Sequence, residues 1–201
     1  MTKVVITLPE FFPGEAEKIA AMLNDGIADL IHLRKPGSSA ADMERLIQQI
    51  PSSLHRCLVL HDHHHLAPQY GLHGIHLNSR NPEPPNSKFK IQNSKFSISR
   101  SCHSLEEVTE WKGRCNYVSL SPIFDSISKQ GYRSAFSREE LLQAHRDGII
   151  DDKVFALGGI TFDRLPLVEA LGFGGAMILG DAWKPHPDPP LGEGVRYGEV
   201  N

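Results

Sequence analysis

Two spacings of apolar residues alternate along almost the whole chain. Compact apolar runs at 4–8, 30–33, 58–61, 74–77, 96–99, 117–120, 154–157 and 176–179 predict strands. Between them, apolar residues recur three and four apart. Ala16, Ile19, Ala20 and Leu23 make one such stripe with Gly26 as a stop behind it. Met43, Leu46, Ile47 and Ile50 make another, with Ser39 as its N-cap. Ser104 with Glu107, and Ser137 with Glu140, read as capping boxes that open further helices. A helix is also expected after Thr161, capped by Asp163 so that Pro166 falls in the first turn. Strands alternating with helices imply a parallel sheet, and eight strands imply a (β/α)8 TIM barrel. An open doubly wound sheet is the alternative, because 201 residues is short against the ~250 typical of such barrels.

Two segments break the alternation. Residues 81–95 hold Pro82, Pro84 and Pro85, then Asn-Ser-Lys-Phe at 86–89 and again at 93–96, a loop-like insertion in place of the fourth helix. Residues 184–201 carry prolines and glycines with few apolar positions, which predicts a disordered tail and a truncated eighth helix. The expected organisation is one barrel domain over 1–183 followed by that tail. Sparse helical cover makes self-association an expectation too.

Composition narrows the function classes. Twenty-one Lys+Arg against 24 Asp+Glu leave a net charge of −3, too balanced for a general nucleic-acid or membrane-surface binder. No apolar stretch approaches the ~20 residues that span a bilayer. The N-terminus runs straight into a strand without a signal-peptide layout, and Cys57, Cys102 and Cys115 lack metal or disulfide spacing. A reduced, cytoplasmic protein acting on small molecules is the expected setting.

In a barrel, chemistry collects at the C-terminal strand ends. The seventh and eighth strands end in Leu157-Gly158-Gly159-Ile160-Thr161 and Leu179-Gly180-Asp181, where glycines admit a phosphate to backbone N–H groups. Ordinary tight turns would read the same; the pairing of both ends favours phosphate. The second strand ends in His32-Leu33-Arg34-Lys35, a basic group suited to an anion, or else a solvated loop. After the sixth strand, Ser126, Ser128 and Lys129 supply hydroxyls and an ammonium for phosphate oxygens, although a surface loop would explain them equally. The run His61-Asp62-His63-His64-His65 invites a metal, but adjacent imidazoles cannot all face one ion. Asp62 is the member that suits Mg²⁺. His76 and His103 read as packed or hydrogen-bonded rather than acid–base groups.

Together these strings resemble the thiamine phosphate synthase family with its TenI-like thiazole tautomerases. The resemblance spans roughly residues 4–183. It rests on His32-Leu33-Arg34-Lys35, Asp62, Gly74-Ile75-His76-Leu77, the segment 99–104, Tyr117 through Phe124 with Lys129, and Ala156 through Ile160. It implies a Mg²⁺-dependent barrel that joins a hydroxymethylpyrimidine diphosphate to a thiazole phosphate and releases pyrophosphate. By resemblance, Arg34, Lys35, Ser101 and Lys129 would act on the diphosphate and Asp62 would hold Mg²⁺. His32 and His61 would line the substrate site. Ser126, Ser128, Gly158, Gly159, Leu179 and Gly180 would hold the thiazole phosphate.

This chain departs from the family pattern in two places. Where the family has Asn-Asp, it has His61-Asp62. Where the family has Gly-Gln and soon a second metal-binding Asp, it has Asn78-Ser79-Arg80-Asn81, so Arg80 would supply positive charge directly. Pro122 matches the synthases, whereas the tautomerases carry a His there as their acid–base group. A tautomerase using His103, His76 or His32 instead, and a non-catalytic thiazole phosphate binder, are the rival functions.

Overall fold

The structure is a computed structural model that describes residues 1–84, 96–125 and 135–184. Eight parallel strands close into a barrel in sequence order: β1 (Thr2–Ile6), β2 (Leu30–Leu33), β3 (Leu58–Leu60), β4 (Gly74–Leu77), β5 (Ser97–Cys102), β6 (Tyr117–Leu120), β7 (Val154–Leu157) and β8 (Gly175–Ile178). The seam pairs Thr2 with Gly175 and Val5 with Ile178. Helices α1 (Glu15–Asn24), α2 (Ala40–Gln49), α3 (Leu66–Gln69), α4 (Leu105–Trp111), α5 (Arg138–Arg146) and α6 (Leu165–Ala170) clad it.

Each face follows from period-2 alternation. Val5, Ile31, Leu33, Leu58, Leu60, Ile75 and Ile98 point outward into a core shared with Ile19, Met43, Ile47 and Val108 of the helices. Val4, Ile6, Tyr117, Phe155 and Met177 point inward and pack together. Phe155 stacks on Tyr117 with ring centroids 4.4 Å apart. A Cβ on Gly175 would lie 2.7 Å from the Phe155 ring, so the glycine is what admits that ring to the barrel interior.

The helix ends show how closely local chemistry sets boundaries. Ser39 caps α2 by accepting the Asp42 N–H, and Ser137 with Glu140 forms a complete capping box on α5. At α4 the Ser104 hydroxyl accepts the Glu107 N–H, but the Glu107 carboxylate reaches back to the N–H of His103 rather than Ser104. Asp163 is not the cap expected for α6. It sits inside a 3-10 turn (Phe162–Arg164), and Arg164 takes the cap position, with Pro166 still in the first turn. Strand β5 runs past the apolar segment through Arg100, Ser101 and Cys102, because its ladder to β6 continues as far as Leu120.

No helix joins β4 to β5 among the described residues. Asn78 and Asn81 bridge each other, Arg100 donates to the carbonyl of Pro82, and residues 85–95 lie outside the described set. After β8, the described residues end in a 3-10 turn (Asp181–Trp183). The Trp183 indole N–H donates to the carbonyl of Ile6 at 2.8 Å, and its ring meets Phe12 edge-on, which ties the turn across the β8–β1 seam. The expected tail, from residue 185 onward, lies outside the described residues.

Candidate active site

The same alternation that buries Val4 and Met177 sends His32, His61 and His76 into the barrel from adjacent strands. All three are buried. His32 Nδ1 and His61 Nε2 share a hydrogen bond of 2.9 Å, and His32 Nε2 meets the Tyr117 hydroxyl at 2.6 Å. His76 Nδ1 pairs with Ser99 and its Nε2 with Ser101, each at 2.8 Å, while its ring stacks on His61. Burial pushes the pKa of His76 down to about 3, and burial followed by the neighbouring rings holds His32 and His61 well below the ordinary value. These imidazoles are neutral at physiological pH. Five of their six ring nitrogens are engaged within the protein, so they form a fixed, uncharged group of rings.

Above His61 the charges gather. Asp62 is gripped by Arg80, through Nε at 3.3 Å and Nη2 at 3.1 Å, and accepts a third bond from the Asn81 amide at 2.9 Å. The turn that carries Arg80 is pinned to β3: the amides of Asn78 and Asn81 both donate to the carbonyl of His61. Arg34 stands in the same electrostatic neighbourhood. Burial lowers its pKa first and the Arg80 charge adds to that, while Asp62 opposes. Its guanidinium makes no hydrogen bond among the described residues.

Lys35 is not part of this group. One residue on from Arg34, it faces the other way, into the β1–α1 loop, where its ammonium binds Glu15 at 2.6 Å and the carbonyls of Leu8 and Glu10. Both members of the ion pair are buried. Burial raises the pKa of Glu15 and lowers that of Lys35, against the pull of the pair itself.

The β7–β8 rim is built from backbone. Gly158 and Gly159 have φ of 97° and 65°, and a Cβ on Gly159 would lie 2.5 Å from the carbonyl oxygen of Asp125. Arg164 donates to the carbonyl of Gly159 at 2.8 Å, and Asp181, just beyond Leu179 and Gly180, accepts the Phe162 N–H at 3.0 Å. The buried Thr161 hydroxyl, at the same corner, has no hydrogen-bond partner among the described residues. Gly180 meets no such steric demand. Ser126, Ser128 and Lys129 lie outside the described residues. A cavity of about 380 Å³ is lined in part by Phe124 and Asp125 after β6, Phe136 and Arg138 at the start of α5, and Arg164 before α6.

The donor set does not fit a protein-held Mg²⁺. Mg²⁺ demands several hard oxygen ligands, and the Asp62 carboxylate is already engaged by a guanidinium and an amide. Among the described residues, the one cluster of three side chains with metal-ligand spacing is His32, His61 and His76, which is all nitrogen.

Within the run 61–65, His61 and Asp62 join the site, and the buried His64 lies near enough to His76 to push its pKa down. His63 turns away to the carbonyl of Ser38. The partners of His61 come instead from other strands, and strand parity alone, applied to His32, His61, His76 and Tyr117, would have grouped all four.

Comparison with known proteins agrees with the fold. Thiamine phosphate pyrophosphorylase from Bacteroides thetaiotaomicron has the same fold, with a TM-score of 0.80 at 43% identity over 91% of this chain and 85% of that one. Thiamine-phosphate synthase of Halalkalibacterium halodurans is 28% identical over 174 residues, 83% of this chain and 80% of its own length. The protein of the same name from Enterobacter is 28% identical over 123 residues, and the match spans only 57% of it. The family described as thiamine monophosphate synthase, TMP-TENI, matches residues 4–180. With that match running from the first strand to the end of the last, the chain belongs to the thiamine monophosphate synthase (TMP-TENI) family.

Proposed function

We propose that the chain is a thiamine-phosphate synthase, a transferase that couples hydroxymethylpyrimidine diphosphate to thiazole phosphate with release of pyrophosphate. The observation that carries this reading is the pairing of two unlike anion sites on one barrel mouth: guanidinium charge beside Asp62 and a glycine corner at Gly158 and Gly159. A reaction with one diphosphate and one monophosphate substrate needs two such sites.

In this reading the pyrimidine lies on the His32, His61 and His76 rings, with Ser101 beside them. Neutral imidazoles suit a neutral heterocycle, since their rings pack against it without adding charge. The bond from the pyrimidine methylene to the diphosphate oxygen breaks, and its electron pair leaves with the diphosphate. The thiazole nitrogen lone pair then forms the new C–N bond. Preorganised positive charge at the departing oxygens lowers that barrier. No side chain is asked to remove a proton. The thiazole phosphate sits at the Gly158–Gly159 corner, where the unpartnered Thr161 hydroxyl is available to it.

One contact favours a second reading. His103 Nδ1 lies 3.2 Å from the Ser121 hydroxyl, next to Pro122, so a thiazole tautomerase would have an imidazole close to that point. Incubation with both substrates decides. A synthase makes thiamine phosphate and pyrophosphate only when both are present, whereas a tautomerase converts a thiazole phosphate alone. Failure to complement a thiamine auxotroph, with no product in vitro, would refute the synthase. A cytoplasmic setting belongs to the same proposal, supported by three free cysteines. So does self-association, which light scattering would test.

A further inference from the structure

We propose that Arg80 takes the part a divalent cation would play, so that Arg34 and Arg80 form a metal-free site for pyrophosphate and for the departing diphosphate. The assignment of the diphosphate rests on the synthase reading; the anion site itself does not.

Four observations converge on it. Arg80 lies on Asp62 by one edge, Nε and Nη2, so the remaining guanidinium N–H groups point elsewhere, and the side chain is 44% exposed. Its position is set rather than floppy: the Arg80 N–H donates to Asn78, and Asn78 and Asn81 are both tied to the carbonyl of His61. Arg34, one strand over at the end of β2, is half-buried and feels both charges: Arg80 opposes its guanidinium and Asp62 favours it. Two cations and one anion leave one positive charge uncompensated, and the neutral histidines beneath add none. An incoming diphosphate relieves that repulsion and meets planar forks suited to its oxygens.

A metal ion at the same place would compete with this arrangement. To bind Asp62 it must displace Arg80, and it would bring a second cation beside Arg34. A guanidinium also stays charged at every working pH, so it neutralises the leaving oxygens as the C–O bond breaks, without exchanging a proton.

Titration calorimetry of inorganic pyrophosphate into chelator-treated protein, with EDTA present and then with Mg²⁺, tests this directly. Binding is expected in EDTA at an affinity that Mg²⁺ does not improve. Arg80→Ala should lose about tenfold or more, equivalent to ~1.4 kcal/mol, with Arg80→Lys in between. Asp62→Asn should still bind, because it removes negative charge; a metal site would lose its ligand and its affinity. Circular dichroism melts confirm that the variants fold. Pyrophosphate binding that requires Mg²⁺, no binding under either condition, or an Arg80→Ala variant that binds as well as the parent would overturn the proposal. Coupling of the two substrates measured in EDTA separates it from the synthase reading. Turnover only with Mg²⁺ would sink the metal-free mechanism and leave the synthase standing. Metal-free binding without turnover under any condition would do the opposite.

Discussion

The two rims of this barrel solve the same problem with different materials. On the proposed reading, anion affinity at β2–β4 comes from side chains: Arg80 on Asp62, with Arg34 nearby, above neutral imidazoles. At β7–β8 the same reading draws it from main chain, where Gly158 and Gly159 turn with positive φ and leave room for no side chain. A side-chain site can be rewired by one substitution while the fold stays put. A backbone site is bound to the turn that makes it, so the two should fail differently.

The largest effect belongs to a basic residue that lies beside the side-chain rim but is held elsewhere. Lys35 neighbours Arg34 in sequence but is buried on Glu15. Glu15→Ala strands that ammonium and is expected to cost about 3–5 kcal/mol of stability, read by urea unfolding, with pyrophosphate affinity of the folded fraction unchanged. A loss of affinity without loss of stability would place Lys35 in the anion site after all. Next comes the backbone rim. Gly159→Ala forces a Cβ against the Asp125 carbonyl at φ 65°, a strain of order 1–3 kcal/mol. Thiazole phosphate binding should weaken while pyrophosphate binding holds, checked by titrating each ligand separately. Equal weakening of both would erase the distinction between the rims.

The imidazoles beneath the side-chain rim give a pH test. The folded pKa of His76 is about 3, below its unfolded value near 6.5, and those of His32 and His61 are lowered as well. The unfolded chain therefore binds more protons between those values. Stability is fully present above about pH 6.5 and is lost as pH falls toward 3. Thermal melts from about pH 8 to pH 5 should show that decline, and His76→Gln should flatten it. The smallest effect, Ser137→Ala, costs about 1 kcal/mol through the lost cap. It should leave both ligands' affinities alone, since α5 serves neither rim.

How much of this was legible in the sequence varies with what holds each part together. Strands at 30–33, 74–77, 117–120 and 154–157 agree with the structure because their apolar runs end where their ladders end. The first strand begins earlier than its apolar run because Thr2 and Lys3 pair with Gly175 and Ala176, a long-range fact. The glycine corner was readable, since a backbone conformation leaves its mark locally. Arg34 and Lys35 looked alike as a basic pair, although parity already set them on opposite faces. What no local pattern carries is the partnership of Asp62 with Arg80. It exists because β3 and β4 are neighbours and the turn at 78–81 folds back onto His61.

The tie between Trp183 and Ile6 has an optical consequence. The chain has two tryptophans. Trp111 lies on the outer wall, with the guanidiniums of Arg100 and Arg114 against its ring. Trp183 sits where the barrel closes, in the turn that follows Gly180, with its indole N–H on the first strand. Replacing Trp111 with Phe therefore leaves a single emitter built into the closure itself, and its colour reports whether the ring of strands is shut without any label being added.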